Sequence, residues 1–320
     1  MASGATPPKP SPGGPPPEWE HFGLYQAVKE ALYALPGRFR SDLVISGVRA
    51  TDLFTFNASL GATIEEQVVD GLNALRDATW DPDEQYAGYS FVRQPQTFPD
   101  VVLKAATSPE VPAEILMGIE LKGWYVLAKE GEPSFRYTVT PGVCAPQDLL
   151  VVFPWTLDRV ISGSPELYAP FVTPARYAAE FRNWHWKHAR RARSDTTIHV
   201  STVTHHYPTK SDEISDRPAS DSGGNFGRFA RTGLMDAYMA ALFRDDLGGI
   251  PLDAWRRFLA LFSQETTEDD INRELNRMAE QTTGEQAALS SEAVEAIRDR
   301  LEEIVGLLRR QPLDGGSTAG

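Results

Sequence analysis

"FPDVVLK" at residues 98–104 and "EILMGIELKGW" at residues 114–124 decide how this chain folds. Both are runs of strand-forming apolar residues, and both carry acids that an apolar strand should not contain: Asp100 opens the first, and Glu120 sits inside the second, two places before Lys122. In an extended strand alternate side chains share a face, so Glu120 and Lys122 project together while Ile119 and Leu121 point the other way. Asp100 parts company with Val101 and Leu103 by the same rule. Burying carboxylates is costly, and two of them about 4 Å apart repel by roughly 4 kcal/mol at an effective dielectric near 20. A divalent cation removes that conflict and a lysine moderates it. Pro82-Asp83, the other Pro-Asp pair, is followed by Glu84 and Gln85 and not by an apolar strand, so it reads as a turn.

Working outward, "FNASLGATIEEQVVDGLNALRDATW" (residues 56–80) is helical by period: Ile64, Val68, Leu72 and Leu75 form one apolar stripe. At about 100° per residue Glu65 lies some 60° from the centre of that stripe and can lean toward a sheet, whereas Glu66 faces nearly the opposite way. "QYAGYSFVRQ" (85–94) alternates as a first strand, and "DLLVVFPW" (148–155) reads as a buried strand. Ile115 to Leu121 is apolar on both faces apart from Glu120, as a central strand covered on both sides would be. "EHFGLYQAVKEALYAL" (20–35) predicts an initial helix, "SDLVISGV" (41–48) a short strand or extended connection, and "SFRYTV" (134–139) a strand or insertion. The order is helix, three strands, a crossing segment, then another strand, an α/β (α+β) arrangement.

The 320 residues, 41% of them hydrophobic, suffice for one elaborated domain with appendages. Four regions are expected: a disordered Pro/Gly-rich tail over 1–18, the main domain over 19–250, a helical region over 251–310 and a flexible tail over 311–320. The one cysteine, Cys144, excludes an intramolecular disulfide framework and fits a reducing cytoplasm. Neither a signal peptide nor a membrane-length apolar run is visible, so a cytoplasmic protein without membrane contact is expected. A net charge of −13 argues against non-specific coating of nucleic acid. A local basic patch nevertheless stands between Arg176 and Arg193, opposed only by Glu180.

These residues resemble the PD-(D/E)xK nuclease superfamily and, within it, the type II restriction endonucleases, over about residues 57–155. The resemblance implies a restriction-endonuclease-like mixed central sheet flanked by helices, here with a helical C-terminal extension. It implies Mg²⁺-dependent hydrolysis of DNA phosphodiester bonds in a bacterial defence system, with double-stranded DNA as substrate and a cognate methyltransferase as companion. Asp100 resembles the metal-ligating Pro-Asp acid, Glu120 the second ligand, and Lys122 the lysine that orients or helps deprotonate the attacking water; the Leu121 carbonyl resembles a further ligand. "NASLGATIEE" (57–66) resembles the entry into the first core helix, which favours Glu65 as an additional catalytic acid. In one departure, the residues after Glu-x-Lys are rich in Gly, Pro and strand formers where the superfamily usually has a helix. A non-catalytic nucleic-acid-binding relative, or a nuclease subunit targeted by a partner, remains the competing class.

"TPARYAAEFRNWHWKHARRAR" (173–193) predicts one long helix with Thr173 as N-cap, whose Arg182, Lys187, Arg190, Arg191 and Arg193 would meet phosphates. Trp184 and Trp186 then serve for stacking or for packing. The polar run "HHYPTKSDEISDRPASDSGGNFGRFARTG" (205–233) reads as a DNA-facing loop with Lys210, Arg228 and Arg231 as contacts. Two short histidine pairs, His185 with His188 and His205 with His206, lack a paired acid and make weak metal sites. Val294, Ile297, Leu301, Ile304 and Leu308 space out a short coiled-coil-like seam, suited either to packing on its own domain or to a homodimer that cuts both strands.

Overall fold

The computed structural model describes residues 7–46, 57–94, 96–106, 113–128, 131–190, 195–221, 225–261 and 267–285. The quoted strands become neighbours in a six-stranded mixed sheet flanked by helices. Strand β1 (Tyr89–Arg93) pairs antiparallel with β2 (Val101–Ala105), and β2 pairs antiparallel with β3 (Ile115–Tyr125). Strand β4 (Leu149–Leu157) runs parallel to β3, with Ile119 opposite Leu149 and Tyr125 opposite Trp155. All nine residues of β4 are buried, as a sheet strand covered on both faces requires.

The far edge of β4 is closed by two short antiparallel strands laid end to end. Strand β5 (Pro165–Leu167) covers Trp155 to Leu157, and β6 (Phe171–Pro174) covers Leu149 to Val152. Between them the Tyr168 amide still donates to the Pro154 carbonyl at 2.9 Å, so the edge is nearly continuous.

A parallel step from β3 to β4 needs a crossover, normally a helix. Here the described residues between β3 and β4 are irregular chain with a 3₁₀ turn at Pro141–Val143 and no α-helix. The "SFRYTV" stretch forms isolated bridges from Arg136 to Arg228 and from Val139 to Ser215 and no regular strand.

Helix α1 (Phe22–Ala34) precedes the predicted α2 (Asn57–Ala74), whose stripe lands as the period requires: Ile64, Val68, Leu72 and Leu75 are all buried. Helix α2 packs on β1 and β3. Asn73 holds that contact in register, because its amide donates to the Phe91 carbonyl and accepts from the Phe91 amide, both at 2.9 Å. "SDLVISGV" makes a single bridge, Ile45 to Gly163, and its last two residues lie outside the described set.

The long basic helix is shorter than expected. Thr173 is paired with Leu150 in the sheet and is no N-cap; α3 spans Ala175–Trp184, continues as a π-helical turn over His185–Ala189, and ends where Arg190 turns extended. The polar run is pinned by the two-residue pair β7 (Ile198–His199) with β8 (Arg217–Pro218). Helix α4 (Asp236–Leu242) follows, then the hairpin β9 (Asp246–Leu247) with β10 (Ile250–Pro251), then α5 (Leu252–Leu261) and α6 (Glu268–Glu285).

Two expected boundaries soften. Residues 7–18 are largely exposed but anchored at points along their length: the Pro7 carbonyl accepts from Trp184 Nε1 at 3.0 Å, Lys9 sits over the Phe181 ring, and Pro15 is buried. Trp255 and Phe258 of α5 join the same hydrophobic core as the sheet, so the C-terminal helical region is no separate body up to residue 261. The 294–308 seam and the 311–320 tail lie outside the described residues. Among the described residues no helix is long and apolar enough to cross a membrane.

Candidate active site

Antiparallel pairing sets Val101 against Ile119, and one further step along the ladder brings Asp100 to Glu120. The approach is fixed from the Asp100 side by Gln94, whose amide donates to the Asp100 carbonyl at 2.7 Å and closes the 94–100 loop. Asp100 Oδ2 accepts from the Leu121 amide at 2.9 Å and from Lys122 Nζ at 3.3 Å. Lys122 Nζ also donates to Glu120 Oε1 at 2.7 Å, which is the shared face that strand alternation predicts.

The electrostatics follow from burial. Glu120 is 7% exposed, and desolvation pushes its carboxyl up to about 7; Lys122 opposes that rise, and Asp100 adds to it. Burial alone would lower the Lys122 ammonium, but Glu120 and Asp100 outweigh it and hold the group above the ordinary lysine range. Glu65 is half-buried and Glu66 exposed, the order helix geometry required. Burial raises the Glu65 carboxyl, Asp100 raises it further, and Lys122 and Arg93 draw it back. Arg93, at the end of β1, approaches Glu65 Oε2 at 3.5 Å. The side chains of residues 57–62, which carry the Asn57 entry motif, lie outside the described set.

Asp100, Glu120 and Lys122 thus form one cluster with Glu65 close enough to feel two of its charges. No family model, curated protein or solved structure matches this chain. What the cluster can do therefore rests on its own chemistry. Among the described residues no three His, Cys, Asp or Glu side chains form a ready-made metal cage, and Lys122 Nζ bridges the Asp100 and Glu120 carboxylates. The donors still fit a hard cation: Glu120 is a buried carboxylate that one shared ammonium leaves under-neutralised, and its oxygens suit Mg²⁺ better than a softer metal. Among the described residues neither histidine pair gathers the acids a metal would need; His205 pairs with Asp212 at 3.2 Å, and burial lowers His185.

The residues expected to contact DNA divide. Arg182 is corrected outright, because it is 2% exposed and engaged inside the protein. Its Nη1 donates to the Tyr137 and Val139 carbonyls at 2.8 and 2.9 Å, and its Nη2 meets Asp216 Oδ2 at 2.6 Å. A guanidinium that satisfies two backbone carbonyls and a buried acid has no face left for a phosphate. Arg190 lies 3.6 Å over the Trp186 ring and bonds the Asp195 carbonyl. Arg231 pairs with Glu132 at 2.7 Å while remaining 43% exposed, and Arg228 is half-buried beside Arg136. Lys187 and Lys210 are exposed, and Lys210 Nζ reaches Gln96 Oε1 at 3.5 Å, beside the loop that leads into Asp100. Arg191 and Arg193 lie outside the described residues. Trp186 is buried against Phe226, a packing role.

Sequence reasoning passed over Asp148 and Arg93. Asp148 opens an apolar strand as Asp100 does, and that shared pattern was the available signal. Arg93 stood exposed at a strand end with nothing in the sequence to bind it to Glu65.

Proposed function

We infer that this protein is a Mg²⁺-dependent DNA endonuclease with a restriction-endonuclease-like core, of the type II restriction class. The observation that carries the reading is the convergence of Asp100, Glu120 and Lys122 at the junction of antiparallel strands, with Glu120 buried and Lys122 bridging both acids. The helix α2 and strand order β1, β2, β3, then a parallel β4, supports the same core.

Asp100 and Glu120 would hold the metal, with the Leu121 carbonyl as a further oxygen ligand. When bound, it supplies a water of lowered pKa and a polarised phosphate oxygen. Lys122 Nζ donates a hydrogen bond to the attacking water and balances the charge that builds on the phosphoryl oxygens, an effect that grows where water is scarce. Glu65, restrained by Arg93, offers an additional carboxylate at the same cluster. Lys187 and Lys210 supply exposed cations for the DNA backbone on an otherwise acidic body.

The test is incubation of purified protein with unmodified plasmid and genomic DNA, in Mg²⁺ and in EDTA. Discrete fragments in Mg²⁺ alone are expected; a smear or nicking points to a nuclease of another kind, and intact DNA under every divalent metal overturns the assignment.

A further inference from the structure

Asp148 is fully buried and lies outside the carboxylate cluster, yet it accepts three hydrogen bonds. Its Oδ1 takes the Gly118 amide at 2.8 Å and the Tyr207 hydroxyl at 3.3 Å, and its Oδ2 takes the Ala145 amide at 2.7 Å. The parallel ladder between β3 and β4 begins at Ile119 and Leu149. One position earlier the Asp148 side chain substitutes for the missing backbone partner and extends the registry to Gly118. Gly118 is also where β3 meets the loop before Asp100: a Cβ there would lie 2.2 Å from Pro99 Cγ and 2.9 Å from Asp148 Oδ1. Asp148, Gly118 and Pro99 are therefore stacked in contact. Pro99 precedes Asp100, and Gly118 is two residues from Glu120.

Tyr207 reaches this stack from the polar run. It is a bulky residue held at φ 54°, a left-handed conformation that is disfavoured for an L side chain and persists only where surrounding contacts over-determine it. Its hydroxyl donates to Asp148 and receives the Gln147 amide at 3.4 Å. A second left-handed residue, Gln96 at φ 65°, meets Lys210 three residues further along the same run. The polar run thus touches the catalytic loop and the registry of β3 at two strained points.

We propose that Asp148 and Tyr207 are positioning residues for the nuclease site: through Gly118 and Pro99 they set the approach of Asp100 to Glu120 and Lys122. The inference rests on the nuclease reading and adds to it that part of the polar run serves the chemical step as well as DNA binding. The Tyr207 hydroxyl touches no reacting atom in this account. Loss of such supporting hydrogen bonds around metal-binding carboxylates costs roughly 10-fold or more in metal affinity or turnover.

Tyr207→Phe removes the hydroxyl alone, and Asp148→Asn keeps Oδ1 as an acceptor for Gly118 and Tyr207. Three quantities are measured for each: kcat and KM for duplex cleavage in Mg²⁺, Mn²⁺ affinity by calorimetry, and thermal midpoint. The expected result for Tyr207→Phe is a kcat about 10-fold lower with KM within about twofold, weaker Mn²⁺ binding and a thermal midpoint close to wild type, with Asp148→Asn milder than Asp148→Ala. Unchanged kcat and unchanged Mn²⁺ affinity in Tyr207→Phe overturn the proposal, as does a loss confined to the thermal midpoint. If the wild type binds Mn²⁺ but cleaves no DNA, the nuclease reading fails and the positioning claim is still decided, by whether Tyr207→Phe weakens that binding. If the wild type binds no Mn²⁺ and cleaves nothing, both fall.

Discussion

Replacing Arg182 by Met should unfold the protein more easily and leave the proposed DNA-binding surface intact. The residue joins three segments: α3 carries it, the crossover supplies the Tyr137 and Val139 carbonyls, and the polar run supplies Asp216. Asn183 Nδ2 and the Ser201 amide also bond Asp216, at 2.8 and 3.0 Å, so the acid is satisfied only as part of the network. Methionine fills much of the volume but leaves Asp216, 1% exposed, with no counter-charge, and deprives two carbonyls of their donor. Removing one partner of a buried ion pair costs about 3–5 kcal/mol, because the remaining charge is stranded away from water. With a urea dependence of about 3 kcal/mol per molar or somewhat more for a chain of this size, the unfolding midpoint should fall by roughly 1 M. Arg182→Lys should lose nearly as much, since one ammonium cannot serve two carbonyls and a carboxylate in the geometry of a planar fork. Arg182→Met/Asp216→Leu should recover part of the loss, because the stranded charge is gone. The assay is urea denaturation followed by tryptophan fluorescence, beside DNA affinity across a salt series at temperatures where the variant is folded. An unchanged urea midpoint with weaker DNA binding, and a salt slope reduced by about one, would refute the reasoning and return Arg182 to the phosphate contacts.

Other outcomes follow from the same structure. Glu65→Gln should slow cleavage while Glu66→Gln, on the exposed face of α2, leaves it unchanged; equal effects would remove Glu65 from the site. Gly118→Ala should destabilise the fold by about 1–3 kcal/mol, read as a lower thermal midpoint, because the new methyl meets Pro99 and Asp148 with no flexible neighbour to give way. Burial raises the Asp148 carboxyl from 3.8 to about 7, so the native state holds its proton more tightly than the unfolded chain between those values. Its contribution to stability is fully present below about pH 4 and is lost as pH rises through about 7, up to a ceiling of ~4 kcal/mol at about 1.4 kcal/mol per pH unit. Asp148→Asn, which does not titrate, should flatten that part of the stability profile; identical pH slopes for variant and wild type would contradict the sign.

Much of the core was legible because its periods are strict. The 64, 68, 72, 75 stripe places α2, and the acids interrupting apolar strands mark Asp100, Glu120 and Lys122 before any contact is known. Strand alternation predicts the Lys122–Glu120 pair, and helix angle ranks Glu65 above Glu66. What the sequence hides is set by tertiary contact. Nothing near Arg182 announces Asp216, 34 positions away and embedded in a polar run that looks solvated. A basic helix and a buried arginine have the same local composition, and only the carbonyls of the irregular crossover tell them apart. Thr173-Pro174 reads as a helix start, yet β4 needed an edge partner and drew Thr173 into the sheet. Tyr207 was invisible for a similar reason, since its partner Asp148 lies just before a distant strand.

The most direct test of the account is cleavage of an end-labelled duplex, bearing a site mapped with wild-type protein, by wild type and Asp100→Ala side by side in Mg²⁺ and in EDTA. Metal-dependent cutting by wild type should fall by orders of magnitude in Asp100→Ala, while the variant keeps its fold and its DNA affinity. Cleavage by folded Asp100→Ala at the wild-type rate, or cleavage by wild type that persists in EDTA, would contradict it.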